Sequence, residues 1–140
     1  MSHILEGAMT ETAQRFFTDW SAVVSSRDFA RLPDLLAEDV ELRTPLYWKP
    51  RQGRDTVARL IAGVGISFGA VHYERQWVSV DELALEFRTT IDDLEVKGID
   101  LITLDETGRI KNIEVMLRPP NALAALRAKM EALLAAGAAG

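Results

Sequence analysis

One carboxylate in this chain stands where a carboxylate is unfavourable. Asp100 interrupts the apolar run Gly98-Ile99-Asp100-Leu101-Ile102. On a strand, Val96, Gly98, Asp100, Ile102 and Leu104 share one face. An ionised aspartate among such neighbours is costly unless paired, so desolvation raises its pKa and favours the protonated form near neutral pH. A neutral carboxylic acid can donate a hydrogen bond to a substrate oxygen or act as a general acid. The alternative is an outward-facing Asp100 paired with Arg43, Lys97 or Arg118. A one-residue slip in register separates the two.

Little else in the chain offers competing chemistry. With zero cysteines, a disulfide framework, a cysteine-zinc site, an iron–sulfur cluster and a thiol nucleophile are all excluded. The two histidines, His3 and His72, lie far apart: one in an N-terminal tail, the other on a polar strand face with Glu74 and Gln76. No metal site and no cofactor are expected. Gly63, Gly65 and Gly69 lack the context and the lysine of a phosphate loop. The aromatic residues Phe16, Trp20, Tyr47, Trp48, Trp77 and Phe87 either line a pocket for a planar apolar ligand or are ordinary core. Tyr47 and Trp48, between Pro45 and Pro50, are the better pocket candidates. The direction of Trp77 is open, because Tyr73, Arg75 and Trp77 alternate on one strand face.

These side chains need a scaffold, and the pattern supplies one. The chain has 140 residues, 48% of them apolar, with a net charge of −5. That suits one globular domain, 1–140, with a core over about 11–126 and mobile ends at 1–9 and 135–140. The acidic balance, with no run of five basic residues, argues against nucleic acid or an anionic membrane as partner. No signal peptide or membrane span is read, so a cytoplasmic location is the default.

Ala13, Phe16, Phe17, Trp20, Val23 and Val24 recur at helical spacing over Glu11–Ser25. A second short helix is expected from Pro33 through Ala37, and then a strand over Val40–Thr44. Asp55 is placed to cap a helix over Thr56–Ala62. Strands follow at Val71–Val80, Leu83–Ile91, Val96–Leu104 and Ile110–Leu117. Asp105-Glu106-Thr107-Gly108 supplies a hairpin turn. On the last strand Ile113, Val115 and Leu117 alternate with Asn112, Glu114 and Met116, which aims the apolar set at a pocket. Asn121 is placed to cap a last helix that frays near Gly137. Helices, then strands, then a helix define an α+β fold with a mostly antiparallel sheet.

This order, with Ser26-Arg27-Asp28-Phe29, Ala37-Glu38-Asp39-Val40, Thr44-Pro45, Gly53-Arg54-Asp55, Gly98-Ile99-Asp100 and Leu104-Asp105-Glu106-Thr107-Gly108-Arg109-Ile110, resembles the NTF2-like fold. The similarity is to its SnoaL-like and ketosteroid-isomerase-like branch and covers about Glu11 to Leu126. The resemblance implies a cone with an apolar interior, built by a curved sheet wrapped on helices. It also implies a homodimer through the outer sheet face, where Ile99, Leu101 and Met116 would form an apolar patch.

It further implies that Asp100 is the oxyanion-hole acid of the isomerases, or the acid/base of the SnoaL-like cyclases. The isomerase base position holds Thr44, whose hydroxyl is no base at neutral pH. The tyrosine position holds Trp20, which can donate but not exchange a proton usefully. The ketosteroid isomerase reaction in its usual form is therefore not expected. Two readings follow. The first is a cofactor-independent isomerase- or cyclase-type enzyme, acting through Asp100 on a small hydrophobic carbonyl or polycyclic compound. Its pocket is shaped by Trp20, Thr44, Tyr47, Trp48, Trp77, Phe87, Val115 and Leu117. The second is a non-catalytic pocket that binds a hydrophobic ligand, or a dimeric interaction module.

Overall fold

The computed structural model describes residues 10–139; the tail 1–9 with His3, and Gly140, lie outside the described residues. Helix α1 (Glu11–Ser26) starts where the Thr10 hydroxyl accepts the Ala13 N–H at 3.0 Å, a side-chain cap of the usual kind. It buries Ala13, Phe16, Trp20 and Val23. A 3₁₀ helix (Phe29–Leu35) follows, with Pro33 inside it rather than at its start. Strand β1 (Leu36–Arg43) begins four residues earlier than the alternation predicts. Leu36 and Ala37 belong to the strand because they enter the core, not because they continue a helix.

A two-residue strand β2 (Arg51–Gln52) pairs with β1 and has no sequence signature of its own. Helix α2 (Arg54–Ser67) is capped by Gly53, with Asp55 in its first turn, and runs unbroken through Gly63 and Gly65. Tertiary packing outweighs the poor helix propensity of those glycines, which is about 1 kcal/mol each. Strands β3 (His72–Ser79), β4 (Glu82–Ile91), β5 (Leu94–Leu104) and β6 (Ile110–Arg118) form the expected meander. Helix α3 (Pro120–Ala139) starts at Pro120, a favoured first helical position, and stays helical past Gly137.

The curved six-stranded sheet has the order β2-β1-β6-β5-β4-β3. All pairings are antiparallel except β1 with β6. Two apolar clusters fill its concave side. One joins α1, α2 and the 3₁₀ helix to β1 and the sheet centre; the other joins Phe87, Ile91 and Val96 to Ala122, Leu126 and Met130 of α3. No helix among the described residues is long and apolar enough to cross a membrane.

Candidate functional site

Strand β5 alternates as its sequence predicts: Val96, Gly98, Asp100, Ile102 and Leu104 all point inward and are buried. Asp100 therefore faces the helices, 6% exposed, and does not pair with Arg43, Lys97 or Arg118. Burial pushes its carboxyl up to about 7, a hydrogen bond from Tyr73 opposing the rise. Tyr73 Oη lies 3.4 Å from Asp100 Oδ2. Trp20 Nε1 donates to Tyr73 Oη at 2.7 Å. Because the indole fills one lone pair of that oxygen, the phenol proton is directed at the carboxylate. Burial, then the nearby Asp100 charge, raises the Tyr73 hydroxyl well above its usual value, so it remains a neutral donor.

Tyr73 was not among the expected pocket residues, and a β-bulge is the reason. The β3–β4 register pairs Tyr73 with Phe87 but Gln76 with Leu85, so β3 carries one extra residue. A bulge switches the faces beyond it. Tyr73 points inward ahead of the bulge. Beyond it Gln76 and Val78 are inward and buried, whereas Trp77 turns to the outer face, 39% exposed. Trp77 thus does not line the Asp100 cavity; it borders a groove on the outer face, and Arg75 lies over its ring. The signal available in the sequence was Val71 and Tyr73, two apolar residues in alternation before the polar stretch. The edges of Phe17 and Phe87 hold the Tyr73 ring, at 6.2 and 6.1 Å between centroids.

The cavity in front of these groups holds about 80 Å³. Trp20, Thr44, Phe87 and Val115 line it as expected. Leu117 is on the inward face but packs in the second cluster instead. Trp48 is 97% exposed and does not line this cavity. Tyr47 borders a neighbouring cavity, not this one, because the loop after β1 folds outward past Pro45. Leu32, Leu42, Ile61 and Phe68 complete an apolar lining. Thr44 turns its hydroxyl oxygen to the Leu46 N–H at 3.1 Å. At the rim, Arg27 ends α1 with φ 60° and donates to the Phe68 carbonyl at 3.2 Å. Phe29 closes against Gly65 beneath it. Among the described residues Asp100 is the only carboxylate lining the cavity.

A curved mixed sheet wrapped on N-terminal helices, with a C-terminal helix behind it, is an NTF2-like α+β fold. The SnoaL-like domain profile matches residues 13–113, and the chain belongs to that family. A steroid delta-isomerase from Pseudomonas aeruginosa is 34% identical to it over 94% of this chain and 98% of its own, with a TM-score of 0.90. An uncharacterised bacterial protein with a cystatin-like fold from Silicibacter pomeroyi is 38% identical, covers 90% of this chain and 86% of its own, and has a TM-score of 0.80. An NTF2-like protein from Mesorhizobium loti shares the fold at 19% identity, over 85% of this chain and 99% of its own (TM-score 0.71). No match was found among curated proteins.

Proposed function

We propose that this protein moves a proton on a small hydrophobic carbonyl compound, with Asp100 as the single acid/base and Tyr73 as the hydrogen-bond donor beside it. The observation that supports this is the Asp100 carboxyl, buried in a mostly apolar cavity with no cation among the described residues within 4.0 Å and raised to about 7. At that value it is present in both forms near neutral pH, which suits general acid–base work. The ionised form takes a proton from the carbon next to the carbonyl, leaving an enolate. The carboxylic acid so formed returns the proton at another carbon, which relocates the double bond without a second base. This accommodates Thr44 at the position where a base would otherwise stand.

The Tyr73–Asp100 distance of 3.4 Å exceeds the usual 2.5–3.0 Å of an O–H···O bond. The phenol proton, aimed at this side by Trp20 but only weakly held by the carboxylate, is available to an enolate oxygen that enters beside Asp100. The cavity is well below the roughly 300 Å³ of ordinary drug-sized sites, so a one-ring ketone would reach out to the Arg27 and Phe29 rim and a polycyclic one far beyond it. The test is isomerisation of 3-cyclohexenone to its conjugated isomer, followed by enone absorbance. Wild type should exceed buffer catalysis, with a rate midpoint near pH 7, and Asp100→Asn should lose at least a hundredfold. Equal rates for the two proteins would reject the enzyme reading.

The second reading is a non-catalytic pocket for an apolar ligand. It is favoured by the single carboxylate and predicts ligand binding that survives Asp100→Asn. In either case we propose that two copies pair through the outer sheet face. Trp77, Leu101 and Met116 stand exposed there in adjacent rows, an apolar patch that suits a partner. Light scattering should give twice 15.5 kDa, and Leu101→Glu should give the single mass.

A further inference from the structure

A second cavity lies on the other side of the wall made by Thr44, Pro45, Val64 and Leu126, which line both spaces. It holds about 210 Å³, more than the roughly 150 Å³ of an engineered apolar cavity that takes up benzene. Its floor is aliphatic, from Leu60 of α2 to Met130 and Leu134 of α3. Its rim is cationic. Arg51 and Arg59 line it. Arg51 and Arg127 both lie over the Tyr47 ring, at 5.1 and 5.3 Å from its centroid.

Arg127 Nη2 also donates to the Leu46 carbonyl at 2.7 Å, which fixes that head at the rim. Five of the sixteen Lys and Arg side chains have a carboxylate oxygen within 4.0 Å: Arg43 on Glu41, Arg75 and Lys97 on Glu86, Arg88 on Glu74, and Lys129 on Asp92. Among the described residues, none of Arg51, Arg59 and Arg127 has a carboxylate oxygen within 4.0 Å. Two guanidiniums on one ring, with no anion between them, repel each other. In a chain of net charge −5, such a cluster above an aliphatic floor matches a ligand with one negative end and one apolar end.

We infer that this cavity binds a short amphipathic carboxylate, its head on Arg51, Arg59 and Arg127 and its chain over Leu60, Met130 and Leu134. Planar guanidinium forks suit a carboxylate head. The site is separate from the Asp100 cavity and does not depend on any reaction there.

The test is calorimetric titration with sodium octanoate and with 1-octanol, which differ only in the head group. Octanoate should bind at least tenfold more tightly. The Arg51→Gln/Arg127→Gln double variant should cut the octanoate preference to the severalfold that Arg59 supplies and leave octanol unchanged. Arg59→Gln alone should weaken octanoate severalfold, and it serves as the test if the double variant does not fold. Asp100→Asn should bind octanoate as wild type does. The inference is overturned if octanoate does not bind, if the alcohol binds equally well, or if the arginine substitutions leave the preference undiminished. It is equally overturned if Asp100→Asn abolishes octanoate binding, because the ligand would then occupy the other cavity.

Discussion

The Tyr73 hydroxyl faces the Asp100 carboxylate at 3.4 Å, from two strands away across β4. The β3 bulge sets this geometry, with Trp20 behind the phenol at 2.7 Å. One helix and two strands thus supply a chain of donors that ends on a buried acid. A chain like this makes each member answerable for the next.

Tyr73→Phe removes the one donor to Asp100 and the acceptor of the Trp20 N–H. Loss of the hydroxyl should raise the Asp100 carboxyl further, since that bond now favours its charged form. The stranded indole N–H should cost about 1–3 kcal/mol. Adding Trp20→Phe deletes the stranded donor, so the double variant should be less destabilised than the sum of the two single changes. Carboxyl-carbon NMR titration and urea unfolding check both statements. An Asp100 midpoint that stays still or falls would mean the phenol does not address it.

Asp100 also makes a signed contribution to stability. Its folded value of about 7 lies above the ordinary value of 3.8. Between these values the native state holds a proton that the unfolded chain has lost. Stability from this group therefore falls as pH rises, from full strength below about 3.8 to its lowest above about 7. Asp100→Asn cannot ionise and escapes that loss. The variant should be more stable than wild type at pH 8, on the order of a few kcal/mol, with the advantage shrinking toward pH 5. Thermal unfolding of both proteins across this range decides it; no advantage at pH 8 would place Asp100 in a solvated setting, and a loss there in a paired one.

The fold was legible because period-2 and period-3.6 patterns are local. The alternation of β5 puts Asp100 on the face of Val96, Gly98, Ile102 and Leu104 but leaves that face's direction open until the register is set, whereas β6 aims Val115 at the pocket from its own pattern. What could not be read depends on contacts between distant segments. Arg51–Gln52 becomes a strand only because β1 is beside it. The bulge in β3 appears only once β4 sets the register, and it exchanges the roles of Tyr73 and Trp77. Trp48 looked like a pocket residue by its type and its place between Pro45 and Pro50, but the loop carries it outward. Glu86 alternates with apolar residues along β4, as a solvated position would, yet the sheet buries it at 6% exposure between Arg75 and Lys97.

That Glu86 site gives an acid-range prediction. Arg75 donates twice, Nε at 2.6 Å and Nη2 at 2.5 Å, and Lys97 Nζ lies at 3.2 Å. The Arg75 bonds, above all, hold the Glu86 carboxyl down to about 2 against the cost of burial. A depressed folded value means stability that is present above the ordinary 4.5 and lost as pH falls toward 2. Glu86→Gln should therefore be less stable than wild type at pH 6. The gap should narrow below pH 4.5 and close near pH 2. Unfolding curves at these three pH values provide the check, and a gap that persists at pH 2 would assign it to packing rather than charge.

Two glycines test how closely the cavity walls approach. A Cβ on Gly98 would meet Leu117 Cδ2 at 2.6 Å and the Met116 carbonyl oxygen at 2.9 Å, besides the Phe87 ring. The carbonyl belongs to the β5–β6 ladder and cannot move without breaking it. Gly98→Ala should cost about 1–3 kcal/mol, as overpacking does. A Cβ on Gly65 meets only Phe29, at Cζ and at Cε1, the latter 2.7 Å away. That ring is half-buried at the rim and can swing outward, while alanine gains about 1 kcal/mol of helix propensity over glycine. Gly65→Ala should therefore leave stability within about 1 kcal/mol of wild type, yet change the affinity of whatever ligand enters past Phe29. Urea unfolding ranks the pair. If Gly65→Ala is the more damaging, Phe29 is locked in place, and the cavity has no opening on that side.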